Sequence, residues 1–218
     1  MIFVAALFAL AAPLAAYGDW IPPDLPAGAK YEIAFVTSGG TTATDPYEAD
    51  YNAFVTAQAR QNPNLPQGVT WHAIASTFEN GDVQAAYQNA PYYPYDPSVT
   101  YPVYNTQGQL VANALPVYNA QGQIIASIAT PLYSPSGSIL NPIGYDQFGN
   151  AQNTLVWTGS EFDGTYDNPL GNGIVYGAPD IGYSGTTSDW LSWSPNASPT
   201  NVSSPKFRYI GQFAVSRS

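Results

Sequence analysis

Residues 155–190 read LVWTGSEFDGTYDNPLGNGIVYGAPDIGYSGTTSDW, and the order of the parts in this stretch decides the fold. Leu155-Val156-Trp157 is an apolar run of the width of a buried strand, so 154–158 is predicted as a strand. After Thr158-Gly159 the chain fills with Gly, Asp and Asn, the residues that supply turn conformations, and 159–185 is predicted as a long irregular loop. Within it only Gly173-Ile174-Val175-Tyr176-Gly177 reads as a short strand. Trp190 and Trp193 follow, and together with Trp157 they are expected in the core.

Outward from this stretch the chain alternates short strands with turns. KYEIAFVT at 30–37 and FRYIGQFAV at 207–215 have period-2 patterning and are predicted as the first and closing strands. Asp45-Pro46-Tyr47-Glu48 is a helix-start signal with Asp45 as N-cap and Pro46 in the first turn. Tyr47, Tyr51, Phe54 and Val55 then fall on one helical face, fading at Gln58, with the helix ending near Gln61 before Asn62-Pro63. VTWHAIAST at 69–77 is predicted as one strand, with Trp71, Ala73 and Ala75 on one face and His72 and Ile74 on the other, and 79–89 as a short helix.

Two segments are near-copies, PVYNTQGQLVA at 102–112 and PVYNAQGQIIA at 116–126. Each reads as a β-hairpin, and two copies are too few for a solenoid, so they are expected to lengthen a surface ribbon at about 90–130. That ribbon carries Tyr92, Tyr93, Tyr95, Tyr101, Tyr104 and Tyr118, flat faces suited to stacking on sugar rings or packing on a partner protein. The same tyrosines serve equally well to cover the domain's own core.

Composition narrows the function classes. The net charge is −10, with five Lys and Arg against fifteen Asp and Glu, which repels nucleic-acid phosphates and anionic lipid alike. With no cysteine, disulfide and thiol chemistry are absent and packing alone must hold the domain. Residues 1–16, MIFVAALFALAAPLAA, read as a secretory signal peptide, so the protein is expected to be secreted or at the cell surface, with no membrane attachment after cleavage. The remainder, 17–218, is expected to form one domain.

No catalytic constellation is visible. His72 is the only histidine and reads as structural, no Gly-x-Ser-x-Gly elbow or phosphate loop occurs, and no catalytic residue is expected. The long loop does collect acids: Glu161, Asp163, Asp167, Asp180 and Asp189 form the candidate binding loop, with Glu161, Asp163 and Asp167 as candidate metal ligands. Calcium takes such oxygen ligands, and it is the sole cofactor the sequence suggests. Asp-Gly and Asp-Asn are also ordinary turn chemistry, and both readings stand at this level.

The landmarks taken in order resemble a group of secreted bacterial proteins, often carrying a PEP-CTERM sorting signal, whose domain is C-type-lectin-like and similar in shape to endostatin-type domains. The likeness is carried by Ile33-Ala34-Phe35-Val36-Thr37-Ser38-Gly39, Asp50-Tyr51-Asn52-Ala53-Phe54-Val55, Thr70 to Thr77, Asn141 to Gly149, Val156-Trp157-Thr158-Gly159 with Asp163-Gly164-Thr165, and Ser188-Asp189-Trp190. The resemblance implies an α+β domain, mainly antiparallel with one clear helix and long loops, its first and last strands paired and 159–189 forming its long binding loop. The Glu-Pro-Asn, Gln-Pro-Asp and Trp-Asn-Asp signatures of the calcium-dependent sugar binders are missing, so their ligands are not carried over. It further implies a non-enzymatic binding or adhesion module for an extracellular polysaccharide or a surface protein. The alternative from the sequence is a structural subunit that self-assembles into a filament or surface layer through a retained apolar N-terminus.

Overall fold

A computed structural model describes residues 30–90, 103–104, 110–112, 116–127, 132–133, 136–171, 179–192 and 210–216. For residues 30, 103–104, 110–112 and 210–216 the description is of the backbone alone. The elements in chain order are β1 (Lys30–Val36), α1 (Glu48–Ala59), β2 (His72–Ala73), β3 (Thr77–Glu79), β4 (Asp82–Gln84), α2 (Ala86–Asn89), β5 (Val103–Tyr104), β6 (Leu110–Ala112), β7 (Val117–Asn119), β8 (Ile124–Ala126), β9 (Leu155–Trp157), β10 (Ile181–Tyr183) and β11 (Ile210–Ser216). Among the described residues the architecture is mixed, with two helices and strands that pair antiparallel except where β7 runs parallel to β1.

A five-stranded sheet, ordered β2-β11-β1-β7-β8, forms the centre. The first and last strands pair antiparallel over their full length, from Lys30 opposite Ser216 to Val36 opposite Ile210, as the sequence led us to expect. Every side chain from Tyr31 to Val36 is buried, including Glu32, because both faces of the sheet are covered. Tyr31, Ile33 and Phe35 face one cluster with Tyr51, Val55 and Ala59 of α1 and Trp71, where Phe35 and Trp71 meet edge to face at 5.0 Å. Ala34 and Val36 face a second cluster with Tyr133, Ile139, Ile143, Val156 and Trp190. The apolar clusters are thus the two sides of one sheet.

Four local expectations are corrected. The helix begins at Glu48 with Tyr47 as its cap residue; Asp45 Oδ1 accepts the Tyr47 amide at 2.9 Å, an Asx turn one step before the helix in place of a side-chain cap. Tyr47, thereby outside the helix, is exposed, and the buried face runs through Tyr51, Asn52, Val55, Thr56 and Ala59. Gln58, where the apolar stripe fades, accepts the Gly39 amide at 2.9 Å and the Ser38 hydroxyl at 3.2 Å, fixing the turn after β1.

The single strand expected at 69–77 is two short ones, β2 and β3, because the chain leaves the central sheet after Ala73 and the Ser76 amide donates instead to Thr158 O at 2.8 Å. Ile74 does lie on the opposite face from Trp71, Ala73 and Ala75, as expected: it packs in the other apolar cluster and is as fully buried as they are. The helix expected across 79–89 is a hairpin followed by one helical turn. Asn80 at φ 53° and Gly81 at φ 93° form the two-residue turn between β3 and β4, an Asn-Gly pair at the conformations a primed turn requires.

Both near-copies are hairpins, β5 with β6 and β7 with β8, with matching register and a bulge at the same place. They are not both surface ribbon: β7 lies in the central sheet beside β1, so Tyr118 is buried and packs edge to face on Tyr31 at 6.2 Å. The expected aromatic belt therefore loses Tyr118. Tyr92, Tyr93, Tyr95 and Tyr101 lie outside the described residues, as do the side chain of Tyr104, the segment 1–16 expected as a signal peptide, the strand expected at 173–177 and Trp193. Among the described residues no helix is long and apolar enough to cross a membrane.

Candidate metal centre at the end of the β9–β10 ribbon

The strand 154–158 forms as expected: β9 pairs antiparallel with β10, Trp157 opposite Ile181 and Leu155 opposite Tyr183. The ribbon is anchored by Trp157 and Ile181 in the α1-side cluster and by Val156 in the other. At its end the backbone closes tightly, with the amides of Thr158 and Gly159 both donating to Asp180 O at 3.1 and 3.0 Å. Gly159 sits at φ +59°, and a Cβ there would lie 2.6 Å from Ser76 O and 2.8 Å from Leu170 N. The glycine of Trp-Thr-Gly thus lets three backbone segments meet where a side chain would part them.

Beyond Gly159 the chain makes a small hairpin. Ser160 bridges Tyr166, the Glu161 amide donates to Thr165 O at 3.0 Å, and the Gly164 amide returns to Glu161 O at 3.0 Å. The hairpin is fixed from below by a buried hydroxyl cluster in which Ser76 Oγ and Ser160 Oγ are 2.8 Å apart and Ser160 Oγ donates to Thr158 O at 2.8 Å. Leu170 then bridges Thr77, its amide donating to Ser76 O at 2.9 Å while Phe78 donates to Leu170 O at 3.0 Å. The loop therefore rests on ordered backbone at both ends.

Three of the five candidate acids converge. Glu161, Asp167 and Asp180 each place a carboxylate oxygen within 4.8 Å of the others, so the trio could hold a metal ion. Asn168 organises two of them: its amide donates to Asp180 Oδ2 at 3.0 Å, and its side-chain Nδ2 donates to Asp167 Oδ2 at 3.0 Å and to Asp180 Oδ1 at 3.3 Å. Burial raises the Glu161 carboxyl above its ordinary value, and the charges of Asp180, Asp167 and Asp163 raise it further, against a smaller lowering by the Phe162 amide. Asp180 is raised by burial and by Asp167, which the two Asn168 donors oppose in part. Carboxylates crowded in this way repel one another, and a divalent cation would relieve that repulsion.

The remaining two candidates do other work. Asp163 neighbours Glu161, but its Oδ1 accepts both the amide and the hydroxyl of Thr165, which is turn chemistry. Asp189 Oδ2 accepts the Ser188 hydroxyl at 3.0 Å and its carbonyl accepts the Tyr183 amide at 2.8 Å, placing it beside the far end of β10. Of the candidate ligands expected from sequence, Glu161 and Asp167 come together with Asp180, and Asp163 is not part of that group. Sequence reading missed Asn168 altogether, since nothing in Asp167-Asn168-Pro169 distinguishes a carboxylate organiser from an ordinary turn.

His72, read as structural, is bound into the fold. Asn52 and Asn89 exchange amide hydrogen bonds at 2.8 and 2.9 Å, Asn52 Oδ1 accepts the Ala73 amide at 2.7 Å, and Asn89 Nδ2 also donates to Ala73 O at 2.8 Å. With Nδ2 so identified, it is the Asn89 oxygen that faces His72 Nδ1 at 3.3 Å, and the ring nitrogen is the donor.

No protein-family model and no curated protein matches this chain.

Proposed function

We propose that the protein is a secreted, non-enzymatic binding or adhesion module of the C-type-lectin-like kind, recognising a polysaccharide or a protein at a bacterial surface. Recognition in this reading takes place at the loop carried by β9 and β10, with calcium held by Glu161, Asp167 and Asp180. The observation that carries it is the convergence of these three carboxylates on a rigidly anchored loop, with Asn168 bridging two of them. The paired terminal strands and the long excursion after Trp157-Thr158-Gly159 support the lectin-like part of the reading.

Carboxylates that repel in the free state gain by coordinating a hard cation, and a partly hydrated calcium offers open positions to sugar hydroxyls. Tyr166, exposed and adjacent to Asp167, adds an aromatic face of the kind that pyranose rings stack on. Glycan-array binding with calcium and with a chelator tests this. Chelator-sensitive binding that is lost in Asp180→Ala is the expected result, and absence of binding to any glycan in both conditions would leave only a protein partner.

A further inference from the structure

The two near-copies occupy different places in the fold although they are almost the same hairpin. In β7 and β8, Val117 pairs with Ala126 and Tyr118 with Ile124, with a register shift between Val117 and Tyr118. In β5 and β6, Val103 pairs with Ala112 and Tyr104 with Leu110, with the same shift between Val103 and Tyr104. Only the former lies against β1, where Glu32, Ile33 and Ala34 pair with Val117, Tyr118 and Asn119 and the Glu32 amide donates to Pro116 O at 2.9 Å.

What holds β7–β8 in that slot is nearly all repeated in the other copy. The turn is organised by Asn119, whose Oδ1 accepts the amides of Gln121 and Gln123 and whose Nδ2 donates to Gln123 Oε1. Asn105, Gln107 and Gln109 stand at the matching positions. Outside the hairpin, Asn119 Nδ2 reaches Pro142 O, Gln121 Nε2 reaches Gly149 O, and the carbonyls of Ile124 and Ile125 accept from Asn141 and Leu140. The first two need Asn and Gln, which both copies have, and the last two need only backbone. The sequences part at Ala120, Ile124 and Ile125, matched by Thr106, Leu110 and Val111. Of these, Ile125 and Ala120 are buried, and losing one methylene at the first while placing a threonine at the second disfavours the alternative by about tenfold.

We propose that the β5–β6 hairpin is a second occupant of the slot beside β1, exchanging with β7–β8 within the same chain. The tether permits it: residues 91–102 can span about 40 Å when extended, about the width of a domain this size, and the exchange moves the register by one fourteen-residue repeat. A shared chain also keeps the effective concentration of the competitor far above that of another molecule. The surface presented outside the sheet then alternates between one hairpin and the other, with the first a minor state of roughly a tenth.

Val117→Asp sets a carboxylate opposite Glu32 at a fully buried position and bars β7–β8 from the slot. The expected result is a monomer that still unfolds cooperatively, at somewhat lower temperature, with Val103→Asp close to wild type and the double variant without a cooperative transition. Val117→Asp unfolded as completely as the double variant, or folded only as an oligomer, would overturn the exchange, as would a double variant that still folds. Cysteine trapping supplies an independent readout, since the chain has no cysteine of its own. In the Val117-intact chain, oxidation of Ile33→Cys/Tyr104→Cys should yield a 33–104 disulfide slowly, and Ile33→Cys/Tyr118→Cys a 33–118 disulfide rapidly. Formation of the second without any of the first would contradict the proposal.

Discussion

A loop built around one carboxylate and a loop that gathers several treat the same functional group in opposite ways. In the loop after Ile143, Asp146 is buried and its carboxylate accepts four donors: the amides of Phe148 and Asn150 at 2.9 Å each, Asn150 Nδ2 at 3.3 Å and Gln152 Nε2 at 2.9 Å. In the loop after Gly159, Glu161, Asp167 and Asp180 face one another and only Asn168 and nearby amides offset their repulsion. A carboxylate surrounded by donors is a structural part, while carboxylates surrounded by one another form a place for a cation.

The contrast is sharpest when a carboxylate is removed or neutralised. Asp146→Ala leaves four donors facing a void and is expected to cost about 3 kcal/mol in a urea titration; Asp146→Asn, which sets an amide against the Asn150 and Gln152 donors, about 2 kcal/mol. A stability loss under about 0.5 kcal/mol for either would erase the distinction between the loops. Next in size is the response to metal. Calcium at a hundred times its Kd should stabilise the wild type by about 2.7 kcal/mol, seen as a rise in Tm, and should leave the variant carrying both Glu161→Gln and Asp180→Asn unmoved.

Without metal, Glu161→Gln is expected to act in the opposite sense to Asp146→Asn. It relieves repulsion at a partly exposed site and should raise stability by less than about 1 kcal/mol. The smallest effect is the pH slope. Glu161 and Asp180 hold their protons to higher pH in the folded chain than their ordinary 4.5 and 3.8 allow in the unfolded one. The folded state therefore binds more protons in that window, and this contribution to stability is present below the ordinary values and is lost as pH rises through the raised ones. Comparing wild type with the Glu161→Gln, Asp180→Asn variant between about pH 4 and 7 isolates it, and a slope of the reverse sign would contradict the crowding.

Much of this was legible in the sequence where a side chain's local pattern and its tertiary fate coincide. Lys30 to Val36 and the closing strand announce themselves by alternation, and Leu155-Val156-Trp157 by a bare apolar run, because burial on a sheet selects those patterns directly. The strand at 69–77 broke because Ser76 turns to meet Thr158, a contact 82 positions away that no local pattern encodes. The Asn80-Gly81 turn was readable and was outweighed by helix-like spacing at Val83, Ala86 and Tyr87. The acids of the long loop were visible as a group, but which three meet depends on the β9–β10 pairing that brings Asp180 back to Gly159. Tyr118 shows the same limit: of two near-identical motifs one lies in the central sheet and one outside it, and the few residues by which they differ do not announce which.

The most direct test of the central claim is isothermal titration of calcium into the protein at pH 7, for the wild type and for Asp180→Asn. A single site in the wild type that disappears in the variant, with Asp163→Asn retaining it, is the expected result. No binding to the wild type, or binding abolished by Asp163→Asn and indifferent to Asp180→Asn, would contradict the assignment of Glu161, Asp167 and Asp180 as the ligand set.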